Sequence, residues 1–184
     1  MRALDALLDA SIAFSFDRGG FERHAARFRE GELDVDLRGR VALVTGANAG
    51  LGRATAIGLA ERDADVVLLC RDAGRGRLAL DEVGERARGR RVDLEILDVS
   101  ELESIREFAR RWRRRRVDVL VHNAGVLPTE RLQTADGSEL TLATHLVGPF
   151  LLTHLLPWTR ETSSQRRGLW QLCRERSGAT EPFA

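Results

Sequence analysis

The sequence predicts an α/β domain in which a parallel β-sheet lies between two layers of helices. Short apolar runs rich in Val and Leu alternate with longer helical segments from Val41 to His122. The lengths of these segments match βαβ units, whose crossover helices pack on both faces of a parallel sheet. In addition, the 184 residues are 43% hydrophobic and 31% charged, which is typical of a soluble globular protein with its own core.

A helical preamble is predicted over residues 1–39. Ala3–Ile12 and Phe21–Phe28 carry apolar residues at helical spacing, which predicts two short helices. Gly19–Gly20 is expected to break the chain between them, and Asp36–Gly39 predicts a turn before the first strong strand.

Four buried strands alternate with three helices in the next part of the chain. Each predicted strand is a short apolar run, and the segments between the strands are long enough for crossover helices. The predicted strands are Val41–Thr45, Asp65–Cys70, Val92–Leu97 and Val117–His122, and the predicted helices are Leu51–Arg62, Gly74–Arg88 and Glu101–Arg115.

One long or broken helix is predicted over Ser138–Trp158. Gly148–Pro149 falls inside it, and we expect a kink or a restart there because proline lacks an N–H group and clashes with the preceding turn. Residues 40–158 are therefore assigned to one nucleotide-binding domain. Residues 159–184 show no clear period, which predicts an irregular tail.

Composition and charge narrow the function classes. Basic and acidic side chains number 29 and 28, so the net charge of +1 gives no field that would attract nucleic acid. The Arg-rich segment Arg110–Arg116 could bind nucleic acid or acidic lipid, but it is interpreted as the solvated end of a helix. Cys70 and Cys173 lie far apart, which argues against a disulfide scaffold or a zinc site and suits a reducing cytoplasm. No apolar run approaches the roughly 20 residues of a membrane span, and we expect no signal peptide.

The glycine-rich segment Thr45–Gly52 lies between a predicted strand and a predicted helix. Gly46 can make the tight turn, Gly50 lets the backbone approach a pyrophosphate, and Gly52 permits close packing of helix and strand. The positive end of the helix that starts at Leu51 favours phosphate. The segment therefore predicts a dinucleotide site, with an ordinary glycine-rich turn that binds nothing as the alternative.

The spacing Thr-Gly-x-x-x-Gly-x-Gly resembles that of the short-chain dehydrogenase/reductase family. Three further segments fit the family in the same order: Asp98–Val99 after the third strand, Asn123–Gly125 after the fourth, and Gly148–Thr153 in the last helix. The resemblance covers Leu37–Pro157. Within it, the segment Val41–Arg71 is similar to the retinol-dehydrogenase-like branch.

This resemblance implies a Rossmann-like, doubly wound, three-layer α/β fold, with the sheet incomplete after about four strands. It places an NAD(P) site at the carboxyl ends of the first and fourth strands, where the topology reverses. The residues that the resemblance assigns to cofactor binding are Gly46, Asn48, Gly50, Leu51, Gly52, Arg71, Asp98, Val99, Asn123, Ala124 and Gly125.

In a dinucleotide-binding fold, the residue type at the end of the second strand distinguishes NAD from NADP. A carboxylate there accepts a hydrogen bond from the ribose 2′-hydroxyl of NAD, whereas an Arg favours the 2′-phosphate of NADP. Arg71 is placed for a bidentate phosphate contact, so NADP is favoured over NAD. Asp72 could instead pair with Arg71 or bind a ribose hydroxyl, and Arg71 could be a plain surface charge. Asp65 begins the strand and is too far away.

The resemblance also implies a catalytic Ser and a Tyr-x-x-x-Lys motif, in which the Lys lowers the pKa of the Tyr phenol. The 184 residues contain neither Tyr nor Lys. Ser163 and Ser164 lie in a polar stretch, so neither receives a role and no catalytic residue is assigned. His145 stands in place of the family's helix Asn; it could hold a water, but we expect a helix histidine near an oligomer face. Nothing in the sequence places His122 or His154 beside a nicotinamide.

The sequence thus predicts an NAD(P)-dependent oxidoreductase by descent that binds NADP(H) but has little or no turnover in this form. The chain diverges from the family after Pro157, which we interpret as a C-terminal truncation that exposes the fourth strand as an edge and lowers stability. One alternative is a non-catalytic nucleotide-binding or interaction module that contacts an intact paralogue through the 138–158 helix. The other is a nonfunctional fragment. The substrate, a carbonyl compound or an alcohol, is not specified by the sequence.

Overall fold

The computed structural model describes residues 18–25, 31, 34–87, 89–112 and 116–157. The chain divides into two compact units, Met1–Val35 and Asp36–Ala184. The predicted helix Ala3–Ile12 and the predicted tail lie outside the described residues. In the part of the chain that is described, no helix is long and apolar enough to cross a bilayer.

The first unit contains helix α1, Arg18–Ala25. The prediction that Gly19–Gly20 breaks the chain is wrong, because both glycines lie in the first turn of this helix. Glycine costs only about 1 kcal/mol relative to alanine inside a helix. An ion pair of 2.9 Å between Arg18 and Glu22 spans the two glycines at helical spacing, and Gly20 is buried. An exposed ion pair of this kind contributes only about 0.2–0.5 kcal/mol, so it offsets only part of the cost of the two glycines.

The second unit is built on a four-stranded parallel sheet with the order β3-β2-β1-β4. The chain therefore steps outward from β1 to β3 and then returns to the other side of β1 to form β4. The strands are β1 (Val41–Thr45), β2 (Asp65–Cys70), β3 (Val92–Ile96) and β4 (Val119–Val121), and the crossover helices are α2 (Gly50–Ala60), α3 (Ala73–Arg86) and α4 (Leu102–Trp112).

Two hydrophobic layers cover the two faces of this sheet. Successive strand residues point to opposite faces, so Val44 and Leu43 belong to different layers. Helices α2 and α3 pack on one face through Ala56, Ala60, Ala79 and Val83. Helix α4 and the last helix pack on the other face through Ile105, Phe108, Trp112 and Leu152. The predicted three-layer α/β architecture is thus confirmed.

A kink or a restart was predicted at Gly148–Pro149, and the structure shows a change from π-helical to α-helical winding at this point without an interruption of the helical backbone. Helix α5 (Leu140–Leu142) continues into a π-helical turn (Ala143–Val147), and helix α6 (Gly148–Leu155) follows directly. In an ordinary α-helix the ring of Pro149 would clash with the carbonyl group of residue 145, four positions earlier. The wider π-helical turn relieves this clash, and Pro149 then occupies the first turn of α6, where proline is tolerated.

Gly148 lies where α6 approaches the turn after β3 most closely. A Cβ added to Gly148 would overlap the carbonyl oxygen of Val99. We therefore expect Gly148→Ala to force the two elements apart and to lower the free energy of unfolding by about 1–3 kcal/mol, the usual cost of overpacking. Urea unfolding followed by circular dichroism measures this change.

Gly84→Ala is the matched control, because Gly84 also lies in a helix but a Cβ there meets no atom within 4 Å. This variant should raise stability by about 0.5–1 kcal/mol through helix propensity. Equal midpoints for the two variants would show that the contact between α6 and the β3 turn is looser than described.

Candidate functional site

A cleft opens at the carboxyl ends of all four strands, on both sides of the point where the strand order reverses between β1 and β4. This is the position at which open α/β sheets bind ligands. The residues that line the cleft are Gly46, Asn48, Leu69, Arg71, Leu97, Asp98, Val99, Asn123, Ala124, Gly125, Val126 and Thr144.

The glycine-rich segment after β1 contributes Gly46 and Asn48 to the lining of this cleft. Gly46 and Gly50 have φ angles of +65° and +54°, a left-handed conformation that side chains rarely adopt. A Cβ at Gly46 would lie 2.9 Å from the Cα of Ala124, and a Cβ at Gly52 would overlap the side chain of Asn123. The glycines are therefore required for the chain to turn and for the loops after β1 and β4 to approach each other.

The N-terminus of α2 emerges from this turn without a side-chain cap. The N-cap residue Ala49 has no polar side chain, and the first turn contains no acidic residue. By contrast, Asp72 caps α3 by accepting from the amide of Arg75, and Glu139 caps α5. Because the first N–H groups of a helix have no intrahelical partners, the uncapped end of α2 suits an anionic ligand.

Thr45, which is buried, links the ends of β1 and β4. Its hydroxyl accepts hydrogen bonds of 3.0 Å from the amides of Asn123 and Ala124 and donates to the carbonyl of Val121. The side chain of Asn123 returns the contact by donating to the carbonyls of Thr45 and Gly46, at 3.1 and 3.2 Å. These bonds hold the two loops in register across the cleft.

Arg71 and Asp98 stand at the ends of β2 and β3, on the same side of the cleft. The Nε atom of Arg71 lies 3.7 Å from a carboxylate oxygen of Asp98, and the Arg71 side chain is 62% exposed. The other carboxylate oxygen of Asp98 accepts from the amide and the hydroxyl of Ser100. Asp72 pairs with neither of these groups because it caps α3, while Asp65 lies at the far end of β2.

Eight of the eleven residues predicted to bind a cofactor line the cleft, and three do not. Gly50, Leu51 and Gly52 lie in the first turn of α2 and outside the lining, and Leu51 is 81% exposed. Sequence reasoning missed Thr45 and Ser100 as groups that hold the lining residues. A Thr at the end of an otherwise apolar buried strand was the available signal, because a buried hydroxyl requires partners.

His122 directly follows β4, whereas His145 and His154 lie in the last helical segment, and the three side chains have different surroundings. His122 contacts the Thr153 hydroxyl at 2.8 Å, and desolvation by burial lowers the pKa of His122. His145 contacts the backbone of Val126, and His154 stacks on Phe150. None of the three is among the residues that line the cleft.

Comparison with known proteins identifies relatives of this fold and site. The sequence model of the short chain dehydrogenase family matches residues 40–168. Retinol dehydrogenase 11 from Mus musculus is 42% identical over 125 residues, which cover 67% of this chain and 40% of that protein. Dehydrogenase/reductase SDR family member 13 from Bos taurus is 43% identical over 135 residues, which cover 72% and 35%. The chain thus spans about two fifths of the length of these relatives or less.

Solved structures match about two thirds of the chain. An uncharacterised protein from Mycobacterium paratuberculosis superposes with a TM-score of 0.60 and 36% identity, covering 68% of this chain and 45% of that one. A metagenomic short-chain oxidoreductase solved in complex with NADP gives a TM-score of 0.56 and 34% identity, covering 65% and 56%. These matches confirm the Rossmann-like fold, with a sheet that is incomplete relative to these structures.

The contacts of Thr45 predict the outcome of two substitutions. Thr45→Val removes the acceptor of two amides that lie in the tight contact between the loops, and it should lower the free energy of unfolding by about 1–3 kcal/mol. Thr45→Ser keeps the hydroxyl and should retain most of the stability. Urea unfolding of both variants measures the difference, and a Val variant as stable as the Ser variant would contradict the proposed link.

Proposed function

Since this chain belongs to the short-chain dehydrogenase family, in its retinol-dehydrogenase-like branch, we propose that it binds NADP(H) as the nucleotide-binding part of a family oxidoreductase. The observation that carries the proposal is the uncapped N-terminus of α2 at a glycine turn whose φ angles are positive. A diphosphate would take the place of the missing cap, since it accepts from backbone amides and complements the helix dipole.

The residues around the cleft fit the remaining parts of a dinucleotide. Arg71, exposed at the end of β2, would bind the 2′-phosphate of NADP, which supports NADP over NAD. Asp98 carries the acceptor oxygens on the adenine side, and Asn123–Gly125 form the wall beyond the reversal point. The NADP complex of the metagenomic relative supports the same cofactor class.

Enzymes of this family transfer a hydride between the nicotinamide and a carbonyl or alcohol carbon. A Tyr, assisted by a Lys, donates or accepts the proton. The 184 residues contain neither residue type. General acid–base catalysis typically contributes about 10²- to 10⁴-fold to a rate. We therefore propose that these residues bind the cofactor but support little or no turnover by themselves. We also propose that the chain works in a reducing cytoplasm.

A second candidate function, an interaction module, is favoured by the surface of the last helix. Leu142, Leu146 and Phe150 follow one another at helical spacing and are 48%, 62% and 72% exposed. An apolar stripe of this kind is typical of a surface that contacts another protein. The occupant would be an intact paralogue or a second copy, and co-purification of such a partner with the chain tests this alternative.

Substitution of Arg71 tests the choice of cofactor. Arg71→Ala should weaken NADPH binding about 10- to 100-fold, the value of a charge-assisted contact, and should leave NADH binding unchanged. Titration by nucleotide fluorescence measures both dissociation constants. Arg75→Ala is the matched control, because Arg75 carries the same charge nearby on α3 but is not among the lining residues. Equal losses in the two variants would indicate a general surface field instead of a 2′-phosphate contact.

A turnover assay tests the proposal that the chain has little or no catalytic activity. The purified chain, supplied with NADPH and retinal or simpler carbonyl compounds, should oxidise NADPH no faster than buffer does, because no phenol–ammonium pair is present. Mouse retinol dehydrogenase 11 serves as the positive control for the assay. A saturable, substrate-dependent rate from this chain would overturn the proposal of inactivity without affecting the binding proposal.

A further inference from the structure

Arg71 and Asp98 lie side by side where β2 and β3 end. The amide of Leu97 donates to the carbonyl of Cys70 at 2.9 Å, and Arg71 and Asp98 are the next residues on the two chains. The Nε atom of Arg71 lies 3.7 Å from Oδ2 of Asp98. Among the described residues that line the cleft, these two are the charged ones, so the lining carries one positive and one negative group.

The carboxylate of Asp98 is held in one orientation by its neighbours. Its Oδ1 atom accepts from the amide of Ser100 at 2.9 Å and from the Ser100 hydroxyl at 2.7 Å, and Ser100 is buried. The amide of Asp98 in turn donates to the hydroxyl of Ser104 at 3.1 Å. Because these bonds engage Oδ1, the oxygen that faces Arg71 is Oδ2.

The two cofactors meet this pair differently. A 2′-phosphate that approaches Arg71 meets a guanidinium that already faces an anion, and it also comes close to the Asp98 carboxylate, which repels it. The 2′-hydroxyl of NADH brings no charge to the same place. The pair therefore lowers the affinity for the phosphorylated cofactor without a corresponding effect on the other.

We propose that Asp98 is a specificity-determining residue, which competes with the 2′-phosphate of NADP for Arg71 and so narrows the preference for NADPH over NADH. This role rests on the proposed function, because it concerns how strongly the same cleft distinguishes the two cofactors. Arg71 supplies the preference for the phosphate, and Asp98 limits it.

Asp98→Asn tests the competition, because it removes the charge and keeps the size of the side chain and an acceptor oxygen for Ser100. The dissociation constants of NADPH and NADH are measured by nucleotide fluorescence, and their ratio is compared between the wild type and the variant. A contact of Asp98 with the adenine is common to both cofactors and cancels in this ratio. The ratio should shift about two- to fivefold in favour of NADPH, the value of an ion pair at an exposed site.

Asp72→Asn is the matched control. Asp72 directly follows Arg71, but its carboxylate caps α3 by accepting from the amide of Arg75 at 2.8 Å, and an Asn caps a helix equally well. This variant removes the same charge from the same region and should leave the ratio close to that of the wild type. An equal shift in the Asp72 and Asp98 variants would indicate a general surface field and would overturn the competition.

The Arg71→Ala background shows whether Asp98 acts through Arg71. Without the guanidinium, Asp98→Asn should shift the ratio by clearly less, and the same shift in both backgrounds would overturn the competition in favour of direct repulsion of the phosphate. If Asp98→Asn does not fold, Asp98→Ser, which also removes the charge and keeps an acceptor oxygen, is judged by the same ratio.

The remaining outcomes separate this role from the proposed function. If the wild type binds NADPH but removal of the Asp98 charge leaves the ratio unchanged or favours NADH, the specificity role is overturned and the proposed function stands. If the wild type binds neither nucleotide, the proposed function fails and the specificity role fails with it.

Discussion

The cleft depends on the close approach of the loops that follow β1 and β4, which the buried hydroxyl of Thr45 holds together. These two strands are neighbours in the sheet but are separated by more than 70 residues in sequence, so their ends meet only through tertiary contacts. Thr45 bonds the loop after β4, and Asn123 bonds the loop after β1. Because the loops lie this close, Gly46 and Gly52 have no room for a side chain. The glycine pattern is therefore as much a requirement of packing between loops as a requirement of ligand binding.

The last helical segment contacts two sides of the same cleft. Pro149 prevents an ordinary helical turn around residue 145, and the π-helical turn that replaces it brings Thr144 to the lining and His145 to Val126. Gly148 then sets the distance between this helix and the turn that carries Val99. One short segment thus contacts both the turn after β3 and the loop after β4.

The sequence was sufficient for features that depend on local chemistry. Alternating apolar runs predicted the four strands, Gly148–Pro149 marked the point at which the π-helical turn changes to α6, and the glycine turn was located between β1 and α2. Features that depend on tertiary partners were not accessible. Asp72 looks like a possible partner of Arg71 until the start of α3 shows that its carboxylate caps that helix. Gly19–Gly20 predicts a break because glycine is a weak helix former, yet both glycines lie in the first turn of α1.

Dinucleotide binding and proton transfer require different kinds of protein groups. A dinucleotide is held largely by backbone amides, by small residues and by one cation, and these come from the ends of strands that are present here together with their covering helices. Proton transfer requires side chains with matched pKa values at one carbon atom of the substrate, and no arrangement of backbone groups can replace a phenol and an ammonium. Two histidines near the cleft already have hydrogen-bond partners, since His122 contacts Thr153 and His145 contacts Val126. The groups proposed to hold the cofactor and the groups that would transfer a proton therefore rest on separate residues.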